Sequence, residues 1–320
     1  MIARLKTLIK VIATFQPNTF LENVAARSDG SLLVTSVNPA ALYYVPNPGP
    51  ASRMVVPQTL ATFNQSAMGI VETSPDIFYI ATTDQMQGGG NLLWKLDMSS
   101  FGRLAHPREV DLTQVATFPV RSRVINGSAR LSTNLILCAD SWAGLIWKVE
   151  IPQDGGEPSM SVWKESAMFL PSSDPARADV PGVNGLKYNE KTHMLYFTTT
   201  SQLIFGRIPV DPDTLNPAGE PEMVTDRWMQ ADDFILDVEA NAAYISTHRQ
   251  NSIVKVDLTT GINNTIAGDP LDMDLIGPTS GAWKKGCKRG GRVAYFVTDG
   301  GIMNPVDGVV REAKVLMLDL

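Results

Sequence analysis

The chain of 320 residues carries 27 basic against 33 acidic side chains, a net charge of −6, with 44% apolar and 19% charged residues. That composition supplies a large buried core and excludes a disordered chain, and without a basic excess the phosphate-neutralising charge that nucleic acid demands is missing. No apolar run approaches the roughly 18 residues of a membrane span. Two cysteines, Cys138 and Cys287, are too few for a disulfide framework.

In chain order, the first segment, MIARLKTLIKVIATF, joins basic and apolar residues, but Lys10 interrupts the apolar stretch and no small-residue cleavage site follows. It reads as a strand rather than an export signal, so a cytoplasmic location is expected. Strand-like segments ending in small polar residues then recur: SLLVTS from Ser31, IFYIATT from Ile77, LILCADS from Leu135, MLYFTTT from Met194, AAYISTH from Ala242 and VAYFVTD from Val293. Their starts are 46, 58, 59, 48 and 51 residues apart. Most follow a turn signal such as Ser28-Asp29-Gly30 or Ser74-Pro75-Asp76, the chemistry that closes a hairpin. A further strand comes after each, as in ALYYV from Ala41, LIWKVEI from Leu145 and SIVKVDL from Ser252.

Repeats of this period predict an all-β chain, a six-bladed β-propeller with four-stranded antiparallel blades spanning residues 1–320 as one domain. The sixth unit lacks a strand at its C-terminal end, and TLIKVIATF from Thr7 has the character to supply it and close the ring.

In a propeller the innermost strands converge on a central channel, whose mouth is lined by their starts and by the loops leaving the second strands. Counting nine or ten residues back from five second strands reaches Glu22, Met68, Asn126, Asn184 and Asp232. Four of these carry hard oxygen donors. Facing one axis, they would suit Ca²⁺, Mg²⁺, Mn²⁺ or Zn²⁺; taken singly, Asn and Asp also cap turns.

LENVAARSDGSLLVTS, INGSARLSTNLILCADS, VNGLKYNEKTHMLYFTTT and ADDFILDVEANAAYIST resemble the senescence-marker-protein and gluconolactonase propeller superfamily, in texture its fungal secondary-metabolism branch. The resemblance runs through nearly the whole chain. It implies one divalent ion on Glu22, Asn126, Asn184 and Asp232, with Asp232 also a general base in lactonases. It also implies a departure: sugar-lactone enzymes of the family carry an Arg two residues before the third-blade Asn, where this chain has Val124.

The remaining mouth positions offer Asn38, Asp84, Gln85, Asp140, Ser141, Trp142, Ser201, Gln202, His248, Arg249 and Met303, with Trp228, Met229 and Trp283 close to inner-strand starts. Met68, Asp140, Trp142, Gln85, Asn38, Ser201, Trp283 and Met303 are the expected substrate contacts, forming an amphipathic, thioether- and aromatic-lined pocket. Each large apolar residue among them is equally at home between blades. Such a pocket suits a polyketide or terpenoid, and some fungal propellers of this resemblance are hetero-Diels–Alderases joining a quinone methide to a terpene alkene. That chemistry needs positioning and a hydrogen-bond donor, for which His248, Arg249, Ser141 and Trp142 are candidates, and it requires no cofactor. The competing expectation is metal-dependent hydrolysis of a lactone or ester with Asp232 as base. A third is a binding propeller without catalysis. In all three the partner is a small molecule, with neither nucleic acid nor membrane; the oligomeric state is open.

Overall fold

The computed structural model describes residues 7–50, 52–84, 89–102, 110–285 and 292–320. After β1 (Ile9–Pro17), the first blade comprises β2 (Phe20–Ala26), β3 (Leu32–Asn38), β4 (Ala41–Val45) and β5 (Gln58–Thr62). The second holds β6 (Ser66–Ser74), β7 (Ile77–Thr83), β8 (Leu92–Asp97) and β9 (Asp111–Thr117), and the third β10 (Ile125–Ser132), β11 (Leu135–Asp140), β12 (Leu145–Glu150) and β13 (Ser159–Glu165). The fourth consists of β14 (Val183–Asn189), β15 (Met194–Thr199), β16 (Ile204–Pro209) and β17 (Glu222–Met223). The fifth consists of β18 (Ala231–Asp237), β19 (Ala242–Thr247), β20 (Ser252–Asp257) and β21 (Asn263–Gly268). The last takes β22 (Pro278–Trp283), β23 (Val293–Thr298) and β24 (Glu312–Asp319), then returns to β1 as its outermost strand.

Each blade is a four-stranded antiparallel sheet in sequence order, so the molecule is a six-bladed β-propeller closed by its N-terminal strand, as the repeat predicts. Closure runs through antiparallel pairs from Ile9↔Leu318 to Pro17↔Glu312, which cover the edge that β24 would otherwise present to solvent. Residue pattern follows depth. The second strands LILCAD and AAYIST are buried throughout because a neighbouring blade covers each face, whereas the outer strand DLTQVAT exposes every other residue or more. Six apolar clusters fill the six gaps between blades. Leu137 and Phe197 belong to the gap between blades three and four, and Ile12, Leu21 and Val297 to the gap that closes the ring. No helix among the described residues is long and apolar enough to cross a membrane.

A shared irregularity shapes the channel. All six inner strands slip register against their second strands near the mouth: between Leu21 and Asn23, Ala67 and Ile70, Ile125 and Ser128, Val183 and Leu186, Ala231 and Phe234, and Pro278 and Ser280. These are β-bulges, which bend a strand and re-aim the residue they hold. The residues inside them, in order, begin with Glu22, Met68, Asn126, Asn184, Asp232 and Thr279. Glycine permits the bulges to crowd together: a Cβ on Gly69 would collide with the Asn126 carbonyl, and one on Gly127 with the Asn184 carbonyl.

Candidate functional site

Five of the six bulge residues, Glu22, Met68, Asn126, Asn184 and Asp232, line one cup of about 200 Å³ at the channel mouth. All five are buried. The sixth, Thr279, lies outside that lining and donates its hydroxyl to the Leu21 carbonyl (2.9 Å), tying the last blade to the first. Apolar walls rise from Phe20, Val124, Val180 and Pro181, and Trp142 and Met303, both partly exposed, form the rim. Thr200, Gln230, His248, Arg249 and Asp179 complete the lining. An Arg249–Asp179 ion pair of 3.1 Å spans part of the opening.

The polar floor is acidic and centred on His248. This residue follows β19 in a short 3-10 turn, with its ring over Phe20 at 5.7 Å between centroids. Its Nε2 lies 3.0 Å from Asp299 Oδ2, and its Nδ1 is 3.6 Å from Asp232 Oδ2. Asp299 is fully buried and fixed by backbone N–H donors from Gly301 (2.6 Å) and Met303 (3.2 Å). Asp232 Oδ1 accepts from Asn184 Nδ2 at 2.6 Å, and the same amide donates to Thr200 Oγ1 at 3.1 Å.

Burial and charge crowding set the protonation of this floor. Desolvation, followed by repulsion from Asp232, Asp233 and Asp299, holds the Glu22 carboxyl well above the usual carboxylate range. Burial likewise pushes Asp232 up to about 7; His248 and the Asn184 hydrogen bond oppose the shift, and Asp233 and Asp299 add to it. Burial alone would lower His248, but the charge and hydrogen bond of Asp299, with Asp232 behind them, raise it. Glu22, Asp232 and His248 thus all bind a proton more tightly than such groups do in water.

Glu22, Asn126, Asn184 and Asp232 are the residues present that fit a hard divalent ion. Asn126 Oδ1 is buried without a hydrogen-bond partner among the described residues, and the two carboxyl groups are pushed toward neutrality by burial and by their acidic neighbours. Carboxylates, histidines and cysteines alone form no metal-binding group of three among the described residues, so such a site depends on the two amides.

Beneath the bulge residues a second tier lies across the channel. Asp233 Oδ2 accepts from Asn23 Nδ2 (3.1 Å) and Ser280 Oγ (2.9 Å), and Lys187 Nζ reaches both Asp233 oxygens at 2.6 and 2.7 Å.

Several expected contacts are engaged elsewhere. Asp140 is buried beside the cup, not in its lining: its carboxylate accepts from the Arg123, Val124 and Ala143 amides and from Trp147 Nε1, which fixes the turn into β10. Ser141 donates to the Val183 carbonyl at 2.6 Å and is likewise a tie between blades. Ser201 Oγ accepts from the Ser172 amide, and Asn38 is exposed with Nδ2 on the Asn18 carbonyl. Trp283 sits at the far end of β22 and opens to the opposite face of the propeller, where Nε1 donates to the Leu236 carbonyl. Met229 is packed between blades four and five. Gln85 and Cys287 lie outside the described residues. Phe20, Asp179, Val180, Pro181, Thr200, Gln230 and Asp299 are contributors that sequence reasoning missed. Thr200 and Asp299 carried a signal, as the polar residues ending the quoted segments MLYFTTT and VAYFVTD.

No protein-family model and no curated protein matches this sequence. Solved structures do resemble it in shape. The luciferin-regenerating enzyme superposes with a TM-score of 0.68 at 10% identity over 98% of this chain and 95% of that one. Regucalcin from Agrobacterium tumefaciens, a calcium-binding protein, gives 0.60 at 13% identity over 97% of each chain. The PQQ-bound aldose sugar dehydrogenase from Streptomyces coelicolor gives 0.60 at 12% identity over 98% of each. At such identities the likeness is one of fold.

Proposed function

We propose that the protein is an enzyme that hydrolyses a lactone or ester of a small, largely apolar molecule by acid–base chemistry at the floor of the cup. The observation that carries this reading is the Asp232–His248–Asp299 line at the base of otherwise apolar walls. Asp232, raised to about 7, takes a proton from water as the water oxygen bonds to the carbonyl carbon. A general base works best with a pKa near the operating pH. His248, whose proton affinity Asp299 raises, turns its Nδ1–H, 3.6 Å from Asp232 Oδ2, toward the leaving oxygen and gives that proton to it as the carbon–oxygen bond breaks. Proton transfer from Asp232 to His248 restores the starting state.

Glu22, Asn126, Asn184 and Asp232 would hold a divalent ion, and such an ion would polarise the carbonyl as a Lewis acid. The calcium-binding regucalcin is a precedent for the fold holding one. A panel of alkyl lactones and aryl esters tests the reading. Turnover should fall on the order of 10²- to 10⁴-fold in Asp232→Asn, the span expected for loss of a general base; undiminished hydrolysis in that variant would overturn it.

Intermolecular hetero-Diels–Alder cyclisation is the second reading. The apolar walls Phe20, Val124 and Val180, with Met68 and Met303, favour it, whereas about 200 Å³ is below the 300–1,000 Å³ typical of ligand pockets and is tight for two reactants. Cyclisation of a quinone methide with an alkene that survives both chelation and Asp232→Asn would select it. Saturable binding without turnover on either panel would make the protein a binding propeller.

A further inference from the structure

We propose that the opposite mouth of the channel is a second small-molecule site, independent of the cup, that takes an aromatic carboxylate. A hollow of about 360 Å³ opens there and shares no lining residue with the cup. The Asn23–Asp233–Ser280–Lys187 tier lies between the two. Its walls are aliphatic, from Ile70, Val71, Ile235 and Leu236, with the indole of Trp283 as a flat aromatic side. That ring is held in place by its Nε1 bond to the Leu236 carbonyl (2.7 Å) and by an edge contact with Tyr244 at 5.7 Å. A fixed indole beside aliphatic side chains receives a planar apolar body.

The ion pairs at this mouth locate its unpartnered cation. Asp233 is paired with Lys187, and Glu72 with Lys285. Arg292, near the Trp283 ring, is paired with Asp237 and Glu239. Arg130, an exposed side chain of the hollow's lining, is the lining cation left over among the described residues. Its guanidinium makes one hydrogen bond, from NH1 to the Thr73 carbonyl (3.2 Å), and has no carboxylate partner among the described residues. A planar fork of donors beside the aliphatic and indole sides of the hollow matches a carboxylate, which it binds through two parallel hydrogen bonds. The ligand therefore has an acid group for Arg130 and a ring for Trp283.

Titration calorimetry with 2-naphthoate on the intact protein tests this directly and needs no turnover. One equivalent should bind, 2-naphthamide should bind more weakly, and Arg130→Gln should weaken naphthoate at least about tenfold, the loss expected for a charged hydrogen bond. Arg130→Lys should retain part of the affinity, and Arg249→Gln, at the cup, should leave it unchanged. Absence of binding in the millimolar range would overturn the proposal, as would full affinity in Arg130→Gln or loss in Arg249→Gln alone. Hydrolysis in the cup is unaffected by any of these results, so failure of one reading is separate from failure of the other.

Discussion

His248 stands between two carboxylates that do different work. Asp299, buried and anchored by two backbone amides, holds the ring, while Asp232 faces the cup. Asp299→Asn should keep the shape of the contact but withdraw the charge that raises the pKa of His248. We expect kcat to fall by about 10²-fold or more, in the range found for acid–base groups, and the alkaline limb of the pH–rate profile to move to lower pH; an unchanged profile would assign Asp299 a purely structural role. The carboxyl groups also make stability depend on pH. Asp232, raised from 3.8 to about 7, contributes stability that is complete below its unfolded value and lost as pH rises through about 7. Glu22 and His248 are raised as well and act in the same direction. Urea midpoints in chelator should therefore decline between pH 4 and pH 7, the two ends of the Asp232 shift. A saturating divalent ion should flatten that decline by displacing protons; midpoints that rise over this range would refute the protonation scheme. At this scale the sequence was legible where spacing sufficed, since a count of nine or ten residues back from five second strands reached Glu22, Asn126, Asn184 and Asp232. It misled at Asp140 and Ser141, because a polar residue ending a second strand serves equally to bind a neighbouring backbone, and only tertiary contact distinguishes the two uses.

Each inner strand re-aims a side chain through its bulge, and the bulge itself is what the sequence concealed. Asn-Gly is by its general chemistry a turn dipeptide, yet Asn126-Gly127 and Asn184-Gly185 lie within strands β10 and β14. Gly127 is required because the next inner strand's carbonyl occupies the place of its missing Cβ. Gly127→Ala should destabilise the fold by about 1–3 kcal/mol, the usual cost of overpacking, and should also disturb Asn184, whose carbonyl it would strike. Denaturant midpoints and cation affinity measured together check both effects; a variant with wild-type values in each would show that the bulge yields without consequence. Thr279 was missed for a related reason. The sixth hairpin carries an insertion between Trp283 and Val293, which breaks the regular count that located the other five.

For the whole molecule the repeat was the decisive signal, and six segments of similar spacing predicted both blade number and closure. Their apolar content is visible in sequence because second strands are buried on two faces and so lose alternation. The ring depends on β1: Ile12 and Ala13 are fully buried in the closing gap, where they meet Val297 and Val315. Replacing Ile12 with Ala should cost about 2–5 kcal/mol, as for other large core truncations, and removing residues 1–17 should expose β24 as an open edge that self-associates. Size-exclusion chromatography of the truncated chain reads this as a shift from the elution volume of the full chain to that of aggregate, and an unshifted, stable species would show that the sixth blade stands without its outer strand. The opposite entrance, with Trp283 on it, was not foreseen, because a strand of six residues carries side chains to both ends of the channel and sequence spacing does not say which end matters.

The cross-channel tier of Asn23, Asp233, Ser280 and Lys187 makes the cup a cul-de-sac. Under the proposed hydrolysis, product departs by the doorway through which its precursor arrived, past Arg249 and Asp179. Incoming and outgoing molecules would share one threshold, so traffic through that gap, and not bond-making alone, would set a ceiling on turnover.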